Sequence, residues 1–180
     1  MERAGFTVLA PDRPRRPPSW EAEVDHLAAF LPSGHRVSVV AASNGCSAAV
    51  RLALAFPRRI TRLLLAWPAT AGDPEADARV RRHLTGLGAS ERTIRVLVAG
   101  RTLRGVSDGE ASRLAMPVGL LPSVPENRNH QRATVDALRR LLPHSEELPG
   151  CPEPPRPGFA PHLDRFLTSV AGFLRPEGQA

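Results

Sequence analysis

One stretch, "VVAASNGCSAAVRLALAFP", limits the fold of this chain more than any other feature. The apolar and β-branched run over residues 37–41 predicts a strand buried on both faces, as in a parallel sheet. After the turn at Ser43-Asn44-Gly45, apolar residues recur at helical spacing until Pro57, which predicts a helix. A strand that passes into a helix through so short a turn predicts an α/β protein with Ser43 at the tip of the turn.

The rest of the 180-residue chain alternates strands and helices in the same way. Such alternation implies parallel crossovers, and hence a mostly parallel sheet flanked by helices in one α/β domain over residues 1–180. Residues 73–115 depart from this alternation of strands and helices, and their pattern predicts two or three short helices without a strand. The remaining predicted strands are residues 6–10, 60–67, 116–122 and 146–148, and the remaining predicted helices are residues 19–31, 131–142 and 162–174.

Charge and composition exclude several function classes. The net charge of +6 comes from 24 arginines without a lysine, scattered as pairs, and aromatic residues make up 4% of the chain. A nucleic-acid-binding surface needs a continuous basic face with interleaved aromatics, so we expect no nucleic-acid partner. No cluster of His, Cys and Asp has the spacing of metal ligands, and neither a metal nor another cofactor is implied.

The two cysteines, Cys46 and Cys151, are too few for a disulfide framework and belong to no CxxC pair. We interpret Cys46 as a small buried apolar residue rather than a reactive thiol. The sequence lacks a visible signal peptide and any apolar run long enough to span a membrane. It therefore predicts a soluble cytoplasmic protein without a membrane partner.

The turn after the predicted strand has the pattern AxSxG, formed by Ala41, Ser43 and Gly45. This is close to the nucleophile elbow GxSxG, in which a strained turn lifts a serine clear of the sheet and places the next backbone amide beside a developing oxyanion. We interpret Ser43 as a nucleophile. The alternative is an ordinary serine that fills a tight turn.

With these features the chain resembles the α/β-hydrolase family over nearly its whole length. "GFTVLAPDRP" is similar to the family's fourth strand and following loop, and "VVAASNGCSAAVRLALAFPRRITRLLLAWPA" to its fifth strand, elbow, helix and sixth strand. Residues 73–115 resemble a small helical lid, and "MPVGLLPSVPENRNHQ" resembles the seventh strand and acid loop. The resemblance implies an α/β-hydrolase-like sheet that lacks the N-terminal strands.

The resemblance also implies a catalytic triad. Ser43 would attack, the backbone amide of Asn44 would bind the oxyanion, and a carboxylate beyond the seventh strand would orient the base. In the family's GxxD pattern, Ser123 takes the glycine position and Glu126 the acid position. Asp73, just after the sixth strand, is the alternative acid.

The base implied by the resemblance is His162, reached through a lengthened loop after the eighth strand. Another alignment matches Gly158-Phe159 with the family's GH pair and leaves His162 without a role. We interpret the other histidines as surface or structural residues; they are His26, His35, His83, His130 and His144.

The family's first three strands and its HG loop, which supplies a second oxyanion amide, have no counterpart in the sequence. The strand at residues 6–10 would therefore leave a gap beside residues 37–41 or pair with them directly. Three explanations stay open: a truncated gene model, a minimal form, and an inactive relative. Losing one oxyanion donor costs on the order of 100-fold in rate.

Taken together, the residues and the resemblance predict an esterase-like serine hydrolase that cleaves a small or medium ester, thioester or amide through an acyl-enzyme. Acyl transfer in the same site is an open alternative. A non-catalytic α/β-hydrolase-like module that binds a small ligand or a partner is another.

Trp67, at the end of a predicted strand, either forms part of the wall of the substrate site or belongs to the core. The oligomeric state is open, a homodimer included.

Overall fold

The centre of the protein is a sheet of four parallel strands. The computed structural model describes residues 1–13 and 18–175, so part of the predicted proline-rich loop, residues 14–17, lies outside the described residues. The strands pair in the order in which they occur in the chain. They are β1 (Val37–Ser43), β2 (Ile60–Pro68), β3 (Val118–Leu121) and β4 (Ser145–Glu147).

Seven α-helices connect and cover these strands in the described part of the chain. Their order confirms the predicted alternation of strands and helices. Ser19 caps the first helix, since its hydroxyl accepts a hydrogen bond of 3.2 Å from the backbone of Ala22. The helices are α1 (Trp20–Ala28), α2 (Gly45–Ala55), α3 (Pro74–Gly86), α4 (Glu91–Val98), α5 (Asp108–Ala111), α6 (Arg132–Leu141) and α7 (Leu163–Leu174).

The core lies on both faces of β2. Leu63 and Leu65 are fully buried in a cluster that includes apolar residues of α1, α2 and α6. Leu64 and Ala66, which alternate with them, are buried on the other side with residues of α7. Successive side chains of a strand point to opposite faces, so helices cover both faces of the sheet. This confirms the predicted α/β fold class.

The predicted strand at residues 6–10 is wrong. These residues form no strand, and Val8 and Leu9 are 46% and 56% exposed. Among the described residues β1 is an edge of the sheet, with Val40 45% exposed. A β-forming composition favours a strand only where a neighbouring strand pairs with it. Residues 6–10 therefore do not pair with β1, and one of the two arrangements expected for this segment is excluded.

The insertion between β2 and β3, residues 73–115, contains the three short helices α3, α4 and α5. This agrees with the two or three helices predicted there. Each begins with a side-chain cap, from Asp73, Ser90 and Ser107 respectively. Whether the insertion works as a lid stays a prediction. In the described ranges, no helix combines the length and the hydropathy that crossing a membrane requires.

Candidate functional site

The turn between β1 and α2 has the backbone geometry of a nucleophile elbow. Ser43 ends β1 with a φ of 53°, and α2 begins at Gly45, two residues later. A non-glycine residue in the left-handed region costs of order 1 kcal/mol or more, and such residues concentrate at functional sites. The strain expected at Ser43 is therefore present.

The structure leaves more room for a side chain at position 45 than the glycine of the AxSxG motif suggests. A Cβ atom added to Gly45 would lie 3.5 Å from a guanidinium nitrogen of Arg13 and 3.8 Å from the Cβ atom of Ala41. Both are ordinary van der Waals distances. The elbow therefore depends on the backbone of Ser43 more than on the absence of a side chain two residues later.

The histidine that contacts Ser43 is His130 rather than the predicted His162. The Nε2 atom of His130 lies 3.0 Å from Ser43 Oγ. His130 belongs to the loop between β3 and α6, and its side chain is about 10% exposed. His162 ends a short 3-10 helix (Pro157–His162), where its Nδ1 atom lies 3.3 Å from a guanidinium nitrogen of Arg165.

The carboxylate beside His130 is Glu153 rather than the predicted Glu126. Glu153 Oε1 lies 3.3 Å from His130 Nδ1. Glu126 is exposed and accepts a hydrogen bond of 2.7 Å from the backbone of Arg132, at the start of α6. The alternative acid, Asp73, caps α3 through a 2.8 Å hydrogen bond from the backbone of Ala76. Both predicted carboxylates therefore bind helix N-termini, which favour negative charge.

Three further side chains hold Glu153 in place. The hydroxyl of Ser123 donates to its Oε2 atom at 2.7 Å, and the amide of Asn127 donates to its Oε1 atom at 3.0 Å. The Nε atom of Arg156 lies 2.9 Å from Oε1. Burial alone would raise the pKa of Glu153, but Ser123, the backbone, His130 and Arg156 together hold it below its ordinary value. Glu153 is thus kept ionised and oriented.

The same contacts fix the protonation state of His130. An ionised carboxylate accepts hydrogen bonds, so the tautomer that satisfies the contact with Glu153 carries its proton on Nδ1 and leaves Nε2 to accept from the Ser43 hydroxyl. Burial lowers the pKa of His130 below its ordinary value, while Glu153 opposes that shift. His130 therefore stays neutral to a lower pH than a solvent-exposed histidine. A neutral imidazole beside a serine hydroxyl can accept its proton.

The backbone amide of Asn44, the predicted oxyanion donor, lies at the N-terminus of α2. Backbone N–H groups of the first turn of a helix have no partner within the helix and can bind an anion. The Asn44 side chain turns to the insertion, where its Oδ1 atom accepts a hydrogen bond of 3.2 Å from Arg104. A second backbone amide equivalent to the HG loop is not identified among the described residues.

Cys46 and Trp67 are both buried beside the elbow. The Cys46 thiol points to the carbonyl groups of Ala41 and Ala66, and burial raises its pKa, as expected for an unreactive core residue. Trp67 is 4% exposed and stacks on Phe166 at a ring separation of 5.3 Å. Of the two interpretations of Trp67, the structure supports core packing.

A surface cavity between the insertion and α6 does not coincide with Ser43. A cavity of about 460 Å³ lies between the insertion and α6, with Arg101 and Arg140 in its wall, and neither Ser43 nor His130 lines it. We place the candidate active site at Ser43 because catalysis requires reactive groups in contact, whereas a cavity alone performs no chemistry. The described residues contain no group of three or more His, Cys, Asp or Glu that could hold a metal ion.

Comparison with solved structures identifies the fold. A meta-cleavage product hydrolase from Pseudomonas fluorescens IP01 matches with a TM-score of 0.64 and 17% identity, over 90% of this chain and 74% of the other. A lipase-esterase related protein from Clostridium acetobutylicum ATCC 824 matches with a TM-score of 0.62 and 12% identity, over 91% and 79% of the two chains. The chain has the α/β-hydrolase fold.

A serine hydrolase involved in carbazole degradation also matches, with a TM-score of 0.62 and 13% identity over 91% of this chain and 74% of that one. No protein-family model matches the chain, and no curated protein does. Its α/β-hydrolase fold is therefore established by structural similarity alone, at low sequence identity.

Within the α/β-hydrolase fold, the histidine and the carboxylate near Ser43 lie in the opposite loops from those that the resemblance implies for base and acid. The loop after β3, where the acid was expected, carries His130, and the loop after β4, where the base was expected, carries Glu153. The order of strands and loops in the sequence offers one signal that could have indicated His130 and Glu153. The carboxyl ends of parallel strands meet at one edge of the sheet, so both loops start on the same side of the sheet as Ser43 and the titratable residues of both are candidates.

Proposed function

We propose that this protein is a serine hydrolase with Ser43 as nucleophile, His130 as general base and Glu153 as the carboxylate that orients His130. The observation that carries the proposal is the 3.0 Å contact between Ser43 Oγ and His130 Nε2, on a serine with a φ of 53°. Contact between a nucleophile and an oriented base is the arrangement that serine hydrolysis needs. The hydrolases with similar structures support it.

In the proposed reaction, Ser43 Oγ attacks the carbonyl carbon of a small or medium ester, thioester or amide. Its proton passes to His130 Nε2, and the carbonyl oxygen becomes an oxyanion beside the Asn44 amide. The C–O, C–S or C–N bond then breaks, and the leaving group takes the proton from His130. Water, activated by His130, adds to the acyl-enzyme and releases the acid and the free Ser43 hydroxyl.

Glu153 has two tasks in this scheme. Its carboxylate fixes the His130 tautomer in which Nε2 is free to accept a proton, and it stabilises the imidazolium that forms during attack. The pKa of Glu153 lies below its ordinary value, so it stays ionised throughout the neutral range. The four contacts on its two oxygens keep it in place as the charge on His130 changes.

A fluorophosphonate probe tests the proposal, because it phosphonylates only a serine that is activated as a nucleophile. We expect the purified protein to gain one probe mass, located on Ser43 by peptide mass spectrometry, and to hydrolyse a short-chain p-nitrophenyl ester. Ser43→Ala should abolish both. Ser38→Ala, on the same strand, is the matched control and should keep both. Folded wild-type protein that takes up no probe would contradict the proposal.

A second candidate function is ligand binding without catalysis. Arg101, Arg140 and Asp108 line the cavity and Ser43 does not, so its wall carries a net positive charge that suits an anionic ligand. The same labelling experiment separates the two functions. A pure binding module leaves Ser43 unlabelled, whereas a hydrolase is labelled whether or not the cavity is filled.

A further inference from the structure

Arg104 is a buried cation where the insertion meets the elbow. The residue is 5% exposed, and its guanidinium donates to Asn44 Oδ1 at 3.2 Å and to Asp77 Oδ1 at 3.2 Å. It also donates to the backbone carbonyl of Thr70. Burial of a charge is costly unless it is paired and hydrogen-bonded, so this guanidinium is held by its three partners.

Thr70, the residue whose carbonyl Arg104 binds, holds both chain neighbours of His130. Its backbone N–H donates to the carbonyl of Asn129 at 2.8 Å, and its hydroxyl accepts from the backbone of Gln131 at 2.9 Å. Thr70 itself is 2% exposed. The peptide groups on either side of His130 are thus tied to one buried residue, which limits how far the imidazole can move from Ser43.

The segment that carries Arg104 is anchored to the helix of the elbow. Arg51, on α2, donates from its Nε atom to the carbonyl of Gly105 at 2.6 Å. Arg104 therefore contacts the residue after the nucleophile on one side and the residue that holds the base loop on the other. Its planar guanidinium offers several donors in a fixed geometry, which a lysine cannot reproduce.

We infer that Arg104 and Thr70 are positioning residues that hold the nucleophile turn and the base loop in one fixed arrangement. Arg104 acts on Asn44, whose amide is the proposed oxyanion donor, and Thr70 acts on His130. The inference rests on the proposed function, since it assigns these residues to the same site. Displacement of a reacting group by about 1 Å can cost on the order of 100-fold in rate.

The test compares variants by kcat and KM on a p-nitrophenyl ester and by the rate of Ser43 phosphonylation. For Arg104→Met we expect kcat and the labelling rate to fall together by about 10- to 100-fold with little change in KM, because misplacement affects the transition state. Thr70→Val, which removes the hydroxyl and keeps the shape, should cost about 10-fold. Thr70→Ser, which keeps the hydroxyl, should restore most of that loss.

Arg79→Met is the matched control. Arg79 also lies in the insertion and also binds the base loop, through the carbonyl of Arg128 at 2.8 Å, but it does not bind Asn44 or Thr70. We expect its kcat to stay near that of the wild type. Equal losses in Arg79→Met and Arg104→Met would mean that any contact between insertion and loop suffices, and would overturn the inference.

Asn44→Ala keeps the inference testable if Arg104→Met does not fold. Asn44 is exposed, so the change removes one acceptor from Arg104 and leaves the backbone amide intact. We expect kcat to fall about 10-fold with only a small loss of thermal stability, because Asp77 and the Thr70 carbonyl still bind the guanidinium. Wild-type kcat in folded Asn44→Ala and Thr70→Val would overturn the inference while Ser43 labelling leaves the proposed function standing. Unlabelled wild type would instead remove the proposed function itself.

Discussion

The elbow after β1 and the loops after β3 and β4 hold their reactive groups by different means. Ser43 is held by its own backbone, because a strand, a turn with a φ of 53° and a helix follow each other directly. His130 and Glu153 are held by side-chain and backbone contacts with residues that lie far away in the chain. The elbow is thus a local structure, and the loops depend on tertiary contacts.

This difference indicates which substitutions should reduce the activity of the site. A substitution at the elbow acts through the conformation of two or three residues. A substitution in the loops acts through any of several partners, including Ser123, Thr70 and Trp67. Catalysis should therefore be lost by changes distributed over much of the molecule, whereas the positive φ of Ser43 should respond mainly to changes at Ser43 itself.

Glu153→Gln should have the largest effect among the loop residues. The amide cannot stabilise the imidazolium and can favour the wrong tautomer of His130, so kcat should fall by roughly 100- to 10,000-fold. Glu153 raises the pKa of His130 against the effect of burial. Its loss therefore moves the acid limb of the pH profile of kcat/KM to lower pH. In the wild type that limb should already lie below about 6.5.

Glu126→Gln is the control for this prediction. Glu126 caps the start of α6 and does not contact His130, so we expect the pH profile to be unchanged and kcat to stay within about threefold of wild type. An acid limb that moves in Glu126→Gln, but not in Glu153→Gln, would give the orienting role to Glu126.

Trp67→Phe should have an intermediate effect. Trp67 has a φ of 48°, and its indole N–H donates to the carbonyl of Cys151 at 2.8 Å, two residues before Glu153. Phenylalanine keeps the stacking and loses the donor, so the acid loop is held less firmly. We expect kcat to fall about tenfold, with an acid limb displaced in the same direction as in Glu153→Gln.

Phe166→Leu provides the comparison for Trp67→Phe. It removes the ring that stacks on Trp67 and leaves the indole donor in place. Thermal unfolding should occur at a lower temperature, while kcat and the pH profile stay close to wild type. If both variants lose stability and kcat in parallel, Trp67 contributes only to packing.

Ser43→Gly should have the smallest effect, and it is measured as stability rather than activity. Glycine adopts a positive φ without the penalty that a Cβ atom brings, so Ser43→Gly should be about 1 kcal/mol more stable to urea than Ser43→Ala. At Ser38, the second residue of β1, the order should reverse, because glycine weakens a strand and Ser38 has no positive φ to relieve. The same order at both positions would mean that Ser43 is not strained.

Much of the fold was predictable from the sequence because its signals are local. The alternation of strands and helices, the elbow and the helices of the insertion all follow from periodicity and short turns. The strand predicted at residues 6–10 failed because a strand needs a partner, and the local composition does not reveal one. Its exposed residues, Val8 and Leu9, show that no neighbouring strand covers them.

The candidate site was predictable only in part, for the same reason. Ser43 and Asn44 belong to a local motif. His130 lies 87 residues from Ser43 in the chain, and no local pattern separates it from the other histidines. Glu126 matched the expected position of the acid, but its carboxylate accepts a hydrogen bond from the backbone at the N-terminus of α6. The family pattern therefore indicated the same two loops that bring His130 and Glu153 towards Ser43, but it indicated other residues within them.

The rate of Ser43 phosphonylation in His130→Ala and His162→Ala tests the central claim most directly. Both changes remove an imidazole from the connection that follows a strand of the same sheet, so the pair is matched. We predict that His130→Ala loses labelling by at least about 1,000-fold and that His162→Ala labels at the wild-type rate. Labelling that survives in His130→Ala and disappears in His162→Ala would contradict the account.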